Sequence, residues 1–355
     1  MSLSPKPGSS DHLSRFRYLA RLAVKTLVSV IMAAFNGEQY IAQSIKSVLR
    51  QTLSDLELVI VDDGSGDRTA NIVQDLQASD DRIKYFRQAN AGQAAARNTA
   101  MAMSSGELIA FLDQDDLWLD HKLEAQVNAL KESGADVVFS NGYIFGPEVA
   151  DQNMNFPIVH GRFSGAEMFR LLFNQNQIPM PSAIVRSEAL NSIAALEEHP
   201  RYQNADDYDL WLRLAAAGRT FVGLPDKLIR YRLHSSQASM DAVKMLKAEL
   251  AVLRQHENNP LLTKEGKVLR FRLAYEKLVR ALVEKGEYTE ARKYLKEILV
   301  QAGHPPTLLA QSVLLGLMPG HFTGILDLAH RARESVSYRI TRPLERAVRL
   351  IMIRS

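Results

Sequence analysis

The feature that most constrains this chain is a short apolar run that ends in carboxylates. Residues 107–112 (ELIAFL) are followed at once by Asp113, Asp115 and Asp116. The run has the length and residue types of a strand that is buried on both faces of a parallel sheet. Because ligands of open α/β sheets bind beyond the carboxyl ends of the strands, we expect these acids to lie at a binding site. The run alone leaves an ordinary solvated acidic turn as an equal alternative.

Apolar runs and helical spacings alternate through the first 140 residues, with short connections between them. Strands are predicted at residues 27–34, 56–61, 83–86, 107–112 and 136–140, and helices at residues 38–51, 67–76, 92–103 and 119–131. This order predicts right-handed strand–helix–strand units, which build a mostly parallel sheet flanked by helices.

The alternation of strands and helices ends after Ser140. Residues 141–161 are rich in Asn, Gly and Pro and are predicted to form a crossing loop. Helices are predicted at residues 165–173, 188–196, 206–217, 245–253, 268–282, 288–299 and 308–317, and strands at residues 182–185 and 227–233. We therefore expect a flexible basic segment over residues 1–26, an α/β domain over residues 27–240 whose halves meet at residue 140, and a helical region over residues 241–355.

One stretch of the helical region, residues 275–292, has the pattern of a single tetratricopeptide-like helix–turn–helix repeat. Because only one copy is visible, an ordinary helical hairpin is the favoured interpretation.

Composition excludes several classes of protein. The 355 residues contain no Cys, which rules out disulfides, thiolate metal sites and a Cys nucleophile, and which fits a reducing compartment. The first 26 residues lack the apolar core of a secretory signal, and no stretch is apolar enough to span a bilayer. We expect a cytoplasmic protein, or one at the inner face of the cell membrane, with no nucleic-acid partner.

Charge is unevenly distributed along the chain. Residues 1–240 hold 23 Lys and Arg against 28 Asp and Glu, a net charge of −5, whereas residues 241–355 hold 20 against 12, a net charge of +8. Residues 330–354 contain seven Arg with interleaved apolar side chains. Such a basic amphipathic segment favours peripheral contact with anionic headgroups, and packing on the protein's own surface is an equal alternative.

Two of the predicted interior strands end in acids, Asp62 and Asp63 on one and Asp113, Asp115 and Asp116 on the other. Acids in such places can simply cap the next helix. Five of them at one edge of a sheet are better explained by a divalent cation that bridges a diphosphate, because the cation offsets the charge of both.

The positions of the glycines count against two other classes of enzyme. Gly64 and Gly66 follow the second strand, and the chain has neither a Gly-x-Gly-x-x-Gly nor a Walker sequence. Both observations count against a dinucleotide dehydrogenase and a P-loop ATPase.

Several motifs together resemble glycosyltransferase family 2, over about residues 27–236 and in that family's order. They are residues 28–36 (VSVIMAAFN), 47–52 (SVLRQT), 57–69 (ELVIVDDGSGDRT), 90–92 (NAG) with 96–98 (ARN), 111–116 (FLDQDD) and 206–213 (DDYDLWLR). The resemblance implies an α/β, Rossmann-like GT-A fold with a C-terminal helical extension. It also implies a nucleotide-sugar donor (a UDP-sugar above all), Mn2+ or Mg2+, and inversion at the anomeric carbon.

The resemblance also implies roles for individual residues. Asp63 would contact the nucleobase, Arg97 would lie near base and ribose, and residues 35–38 would pack on the nucleoside. The implied nucleotide-sugar-binding residues are Phe35, Asn36, Glu38, Asp63, Asn90, Gln93, Arg97, Asp113 and Gln114. The implied metal ligands are Asp115, Asp113 and His234, with Asp115 the direct ligand.

Asp207 matches the family's general base. An inverting displacement needs a carboxylate within hydrogen-bond reach of the acceptor hydroxyl, opposite the leaving diphosphate. The start of a helix would orient it, and the neighbouring Asp206 would raise the apparent pKa of the pair. A simple capping acid is the alternative for Asp207, and simple packing is the favoured interpretation of Trp118 and Trp211.

The sequence thus predicts a metal-assisted inverting glycosyltransferase that adds one sugar to a glycan or lipid-linked acceptor. One alternative is a sugar-phosphate nucleotidyltransferase, although residues 35–38 (FNGE) stand where its Gly-rich phosphate loop would be. Another is a non-catalytic binding module with a tetratricopeptide-like scaffold, although Asp63, Asp115 and Asp207 are all intact.

Overall fold

A computed structural model describes residues 26–147, 149, 158–235, 237 and 240–301 of the chain. The chain divides into two compact units between Met240 and Asp241. The predicted N-terminal segment up to residue 25, the helix predicted at 308–317 and the basic stretch at 330–354 lie outside the described residues.

The first unit is built on one sheet whose described strands follow the spatial order β3-β2-β1-β4-β8-β6-β9-β5, with β7 beside β9. The strands are β1 (Val28–Ala34), β2 (Leu56–Asp62), β3 (Ile83–Arg87), β4 (Leu108–Phe111), β5 (Leu117–Trp118), β6 (Val137–Phe145), β7 (Gly161–Phe163), β8 (Ile184–Arg186) and β9 (Phe221–Arg232). The helices are α1 (Ile41–Leu49), α2 (Thr69–Gln77), α3 (Gln93–Met103), α4 (Lys122–Ser133), α5 (Gly165–Asn174), α6 (Ser187–Asn191) and α7 (Asp206–Ala216). The predicted α/β class is confirmed.

The parallel order predicted from the alternation holds for β3, β2, β1 and β4. β2 and β4 are buried along their whole length, which fits strands of mainly β-branched and apolar residues whose two faces are covered by helices. Because β1 lies between β2 and β4, the acids that follow those two strands lie one strand apart at the same edge of the sheet.

The second half of the sheet differs from the prediction. β8 runs antiparallel between β4 and β6, whereas β6 and β9 are parallel. The crossing loop predicted from residue 141 is wrong at its start, because β6 continues to Phe145 by pairing with β9. Asn and Gly there mark a register irregularity inside the strand and do not end it.

Two other predicted elements differ in extent. β9 begins at Phe221, six residues before the predicted strand, because it also pairs with β7. The helix predicted at 188–196 is only α6, which ends at Asn191.

The described part of the second unit consists of the helices α8 (Ala242–His256), α9 (Lys264–Glu284) and α10 (Tyr288–Gln301). α9 and α10 form a helical hairpin whose turn contains Gly286 at φ +81°. Tyr275, Leu278 and Leu282 of α9 are buried in this unit. None of the described helices is long and apolar enough to cross a membrane.

A substitution at Gly165 tests the packing of α5 against α7. A Cβ at this position would lie 2.5 Å from the carbonyl oxygen of Ala215 and 2.7 Å from the Cα of Gly218. We expect Gly165→Ala to lower the free energy of unfolding by about 1–3 kcal/mol, because the clash is with backbone that cannot rotate away. Urea unfolding measures the change.

Gly66→Ala is the matched control, since a Cβ there would meet no atom within 4 Å. It should change the stability by less than about 0.5 kcal/mol. Equal effects of the two substitutions would contradict the described packing of α5.

Candidate active site

The candidate site lies at the carboxyl edge of the parallel strands. Residues 35–38 follow β1, Asp63 follows β2, residues 113–116 follow β4, and α3 begins at Gln93. Parallel strands present their carboxyl ends at one edge, so these four segments meet there.

The side chain of Gln114 connects the loop after β4 to the loop after β1. Its Oε1 accepts a hydrogen bond from the backbone N of Phe35 at 2.9 Å, and its Nε2 donates to the carbonyl oxygen of Phe35 at 2.9 Å. A Cβ on Gly37 would lie 2.2 Å from Oε1 of Gln114, so the approach depends on glycine. The phenyl ring of Phe35 is left 47% exposed, where it can pack on a ligand.

The loop after β1 is also bonded to the loop after β2. The backbone N of Asn36 donates to Oγ of Ser65 at 3.0 Å, and the N of Gly66 donates back to Oδ1 of Asn36 at 2.9 Å. Glu38 accepts from the backbone N and Nε of Arg68 at 3.1 and 3.2 Å. Both polar side chains therefore shape the rim of the site.

Asp63 is buried and holds the segment that leads into α3. Its carboxylate accepts from Nε2 of Gln88 and from the backbone N of Ala91 and Gly92, at 2.8–2.9 Å. Asn90, in the same segment, is exposed. The segment is thereby fixed by a carboxylate at the edge where we expect the base to bind.

Arg97 of α3 connects two carboxylates that are far apart in the chain. Its Nη2 donates to Oδ1 of Asp113 at 2.5 Å, and its Nη1 donates to Oδ2 of Asp206 at 2.7 Å. Burial alone would lower the pKa of this guanidinium, but the two carboxylates outweigh burial and raise it. The amide of Gln93, with its oxygen turned toward the guanidinium, also accepts from Arg97. The bridge brings the acidic loop after β4 to the start of α7.

Asp207 lies beside this bridge in the first turn of α7 and remains partly accessible. Burial and then the charge of Asp206, with a smaller effect of Asp113, raise the pKa of its carboxyl group to about 7, although Arg97 opposes the shift. The expected effect of Asp206 on this pKa is present, but it is second to burial. A carboxyl with a pKa near neutrality can exchange a proton with a ligand hydroxyl.

Asn176 is a residue that the sequence interpretation missed. Its Oδ1 accepts from the backbone N of Ile178 at 3.1 Å, and its Nδ2 faces Oδ2 of Asp207 at 3.5 Å. It follows α5 in a segment without a recognised motif, so only the fold could show that it lies next to Asp207.

Asp115 and His234 form a second pair at the same edge. Nε2 of His234 lies 2.9 Å from Oδ2 of Asp115, and both side chains are largely buried. Burial and the neighbouring Asp113 raise the pKa of Asp115, while His234 lowers it. Both residues are among the metal ligands that the family resemblance predicts.

Asp116 connects the acidic loop to the end of β9. Its Oδ1 accepts from the backbone N of Arg232 at 2.7 Å, which fixes the end of β9 to the acidic loop. Burial, and then the charges of Asp115 and Asp113, raise its pKa well above the usual value.

The donor set suits a divalent cation only in part. Among the described residues, no three His, Asp or Glu side chains are close enough to hold a metal by themselves. The Asp115–His234 pair offers a carboxylate oxygen and an imidazole nitrogen, and Asp113 is engaged by Arg97 instead. Cations in transferase sites commonly take one or two protein ligands and complete their shell with substrate phosphates and water, so the pair fits such a site.

Trp118 and Trp211 pack as expected. Both are buried, and their indole nitrogens donate to the carbonyl oxygens of Pro181 and Ile178 at 2.9 and 3.0 Å. They hold the short turn around Met180–Ser182 and take no part in the site.

Comparison with known proteins identifies the family of the chain. The chain is 33% identical over 239 residues to the UDP-Glc:alpha-D-GlcNAc-diphosphoundecaprenol beta-1,3-glucosyltransferase WfgD of Escherichia coli, a match that covers 66% of this chain and 88% of that protein. This chain belongs to glycosyltransferase family 2. The profile of glycosyl transferase family 2 matches residues 29–193, and the resemblance noted in the sequence is confirmed.

Solved structures of glycosyltransferases share the fold. TarS 1–349 of S. aureus in complex with UDP-GlcNAc has a TM-score of 0.58 at 19% identity, covering 88% of this chain and 91% of that one. The mannosyltransferase PcManGT of Pyrobaculum calidifontis, in complex with GDP-Man and Mn2+, has a TM-score of 0.54 at 17% identity and covers 90% and 94%. The family 2 chain described here therefore has the predicted GT-A fold and is a transferase enzyme.

Removal of the Arg97 guanidinium tests the bridge. Arg97→Met should lower the free energy of unfolding by about 3 kcal/mol or more, because it leaves Asp206 buried without a counter-charge. Chemical denaturation at neutral pH measures the change.

The matched control is Arg68→Met, whose side chain is 82% exposed in its ion pair with Glu38. That substitution should cost less than about 1 kcal/mol. A loss at Arg97 no larger than the loss at Arg68 would show that the bridge does not stabilise the fold.

Proposed function

We propose that this chain transfers one sugar from a nucleotide-diphosphate sugar to a hydroxyl of a glycan or lipid-linked acceptor, with inversion at the anomeric carbon. The observation that carries the proposal is the position of Asp207, a partly accessible carboxyl with a pKa of about 7, beside the Arg97 bridge to the acidic loop. A UDP-sugar is the donor we favour, and the name of WfgD, which specifies UDP-Glc and a diphosphoundecaprenol acceptor, supports that choice.

The donor is proposed to lie along the carboxyl edge of the parallel strands. Phe35, Asn36, Glu38, Asp63 and Asn90 would surround the nucleoside, as the family resemblance implies. Arg97 would lie near the base and ribose, and Gln93, Asp113 and Gln114 would complete the donor site. In this role Arg97 acts through Asp113 and Asp206, which occupy its guanidinium.

Asp115 and His234 are the residues that would hold Mn2+ or Mg2+. A divalent cation there would offset the charge of the diphosphate and stabilise it as a leaving group. The complex of PcManGT contains Mn2+, which supports a divalent metal in an enzyme of this fold.

Asp207 is proposed to take the proton of the acceptor hydroxyl. The bond from the acceptor oxygen to the anomeric carbon forms as the bond from that carbon to the diphosphate oxygen breaks, and the nucleoside diphosphate leaves. Asn176 is placed to hold the Asp207 carboxylate in one orientation, since its own Oδ1 is fixed by the backbone. A carboxylate aimed at the hydroxyl contributes on the order of 10²–10⁴ to the rate of such a step.

The two alternatives are less well supported. The loop after β1 is closed by Gln114 and bonded to Ser65, which leaves no Gly-rich phosphate loop for a nucleotidyltransferase. Membership of a transferase family counts against a non-catalytic module. The basic stretch at 330–354 remains a proposed membrane contact, and co-sedimentation with anionic vesicles of the full chain against one ending at residue 328 tests it.

Asp207→Asn tests the proposed base. We expect the rate of nucleoside diphosphate release with acceptor to fall by at least about 10²-fold, while binding of UDP with Mn2+ stays within a factor of about two. The rate of the unmodified enzyme should rise with pH and level off above about 7, because the base acts only when it is deprotonated.

Stability supplies the control for folding. The pKa of the Asp207 carboxyl group is higher in the folded protein than in the unfolded chain. This group therefore lowers the stability of the folded protein as pH rises from about 4 to 7. Asp207→Asn should therefore be more stable than the unmodified chain at pH 8, by on the order of 1–2 kcal/mol because partial exposure screens the repulsion, and the difference should vanish below pH 4. Unchanged product release by a folded Asp207→Asn variant would rule out the base.

A further inference from the structure

The paired strands β6 and β9 carry a row of rings and cations on one face. Their register places Tyr143 opposite Arg230 and Phe145 opposite Arg232, so these four side chains share a face. The guanidinium carbons of Arg230 and Arg232 each lie 4.5 Å from the ring centre of Phe145. With Lys227, we name these five residues the cation–ring row.

Lys227 reaches this face because of the irregularity in the strand pair. Residues three apart in a regular strand point to opposite faces, so Lys227 and Arg230 would be separated. The register shifts pair Lys227 with Asn141 and Ile229 with Gly142, which leaves Leu228 as an extra residue. The ammonium of Lys227 consequently lies 4.4 Å from the ring centre of Tyr143. Bulges often redirect side chains beside functional sites.

Gly142 is the residue that permits this arrangement. A Cβ at this position would lie 2.4 Å from Cγ1 of Ile229 and 3.0 Å from its carbonyl oxygen. The same glycine that misled the sequence interpretation thus allows β9 to pass close to β6.

Two cations of the row, Lys227 and Arg230, differ from the third, Arg232, in their partners. In the part of the chain that the structure describes, neither Lys227 nor Arg230 forms an ion pair, and the adjacent Asp226 is exposed and bonds to neither. Arg232 is different, because its Nε donates to the carbonyl oxygen of Asp115 at 2.7 Å and its Nη2 donates to Gln43 at 2.9 Å. Among the described residues, no ion pair therefore offsets the positive charges of Lys227 and Arg230.

The row begins at the candidate metal pair. Arg232 touches the backbone of Asp115, whose carboxylate faces His234. Arg230 is two residues away on the same strand, a distance of about 7 Å. Lys227 lies farther from the pair on the same face.

We propose that Lys227 and Arg230 bind a phosphate group of the acceptor, a step that rests on the acceptor part of the proposed function. Two neighbouring cations match a multiply charged anion, and a guanidinium binds phosphate through two parallel hydrogen bonds. An uncharged sugar would gain little from them. The acceptor class is therefore a phosphate- or diphosphate-bearing glycan carrier.

Binding of inorganic pyrophosphate in the presence of EDTA, followed by calorimetry, tests the proposal. The double variant Lys227→Gln with Arg230→Gln should bind at least tenfold more weakly than the unmodified chain, and Arg230→Lys should retain part of the affinity. The matched control is Lys46→Gln with Lys131→Gln, which removes two exposed cations elsewhere and should bind like the unmodified chain. UDP with Mn2+ should bind equally well to all of these variants, which also reports that they fold.

Each other result overturns the proposal in a distinguishable way. Equal pyrophosphate binding by the double variant and the control, or no binding to the unmodified chain, would leave the row a structural cation–π arrangement. Weaker binding of UDP with Mn2+ by the double variant would assign the row to the donor. Loss of sedimentation with phosphatidylglycerol vesicles, with pyrophosphate binding retained, would assign it to lipid headgroups. Failure of the unmodified chain itself to bind any nucleoside diphosphate would instead count against the proposed function.

Discussion

The buried guanidinium of Arg97 is the interaction on which the arrangement of the site depends. It joins the acidic loop after β4 to the first turn of α7, two segments that are 93 residues apart in the chain from Asp113 to Asp206. Without this charge, Asp113, Asp206 and Asp207 would repel one another at close range. The Arg97 guanidinium binds the carboxylates of Asp113 and Asp206. Asp207 is the carboxyl group whose pKa of about 7 allows its proton to exchange easily.

The sheet explains how such distant segments meet. The parallel strands β2, β1 and β4 deliver their following loops to one edge, and β8 then adds antiparallel to β4 and carries the chain into the second half. β9 ends next to the acidic loop, where the backbone of Arg232 bonds to Asp116 and His234 reaches Asp115. The two halves of the sheet thus supply different groups to one site: the loops of the parallel half face the donor we propose, and α7 and β9 supply the proposed base and the second metal ligand.

The parallel half of the fold could be predicted from the sequence, because its strands are mainly apolar runs separated by clear helical spacings. It was insufficient for β6 and β9, where Asn141, Gly142 and Pro225 resemble loop signals and yet lie inside paired strands. Pairing with a distant strand overrides such local signals, and that pairing cannot be read from one segment.

The same limit applied to the site. Motifs indicated Asp63, Asp115 and Asp207, but the idea of five acids around one cation overlooked their other partners. Asp63 is engaged by the segment before α3, and Asp113 is engaged by Arg97. Asn176 and the cation–ring row became visible only through contacts between segments that share no motif. Residue types near strand ends can therefore indicate which acids matter, but only the fold shows which charge neutralises which acid.

The central claim is that one cleft holds the donor diphosphate at Asp115 and His234 while Asp207 faces the anomeric carbon from the other side. A crystal structure of the chain with Mn2+ and a non-hydrolysable UDP-sugar analogue tests this claim most directly. The account predicts that the metal binds Asp115, His234 and both phosphates, and that the Asp207 carboxylate points at the face of the sugar opposite the diphosphate, with room for a hydroxyl between them. A donor bound elsewhere, or an Asp207 on the same side of the sugar as the diphosphate, would contradict it.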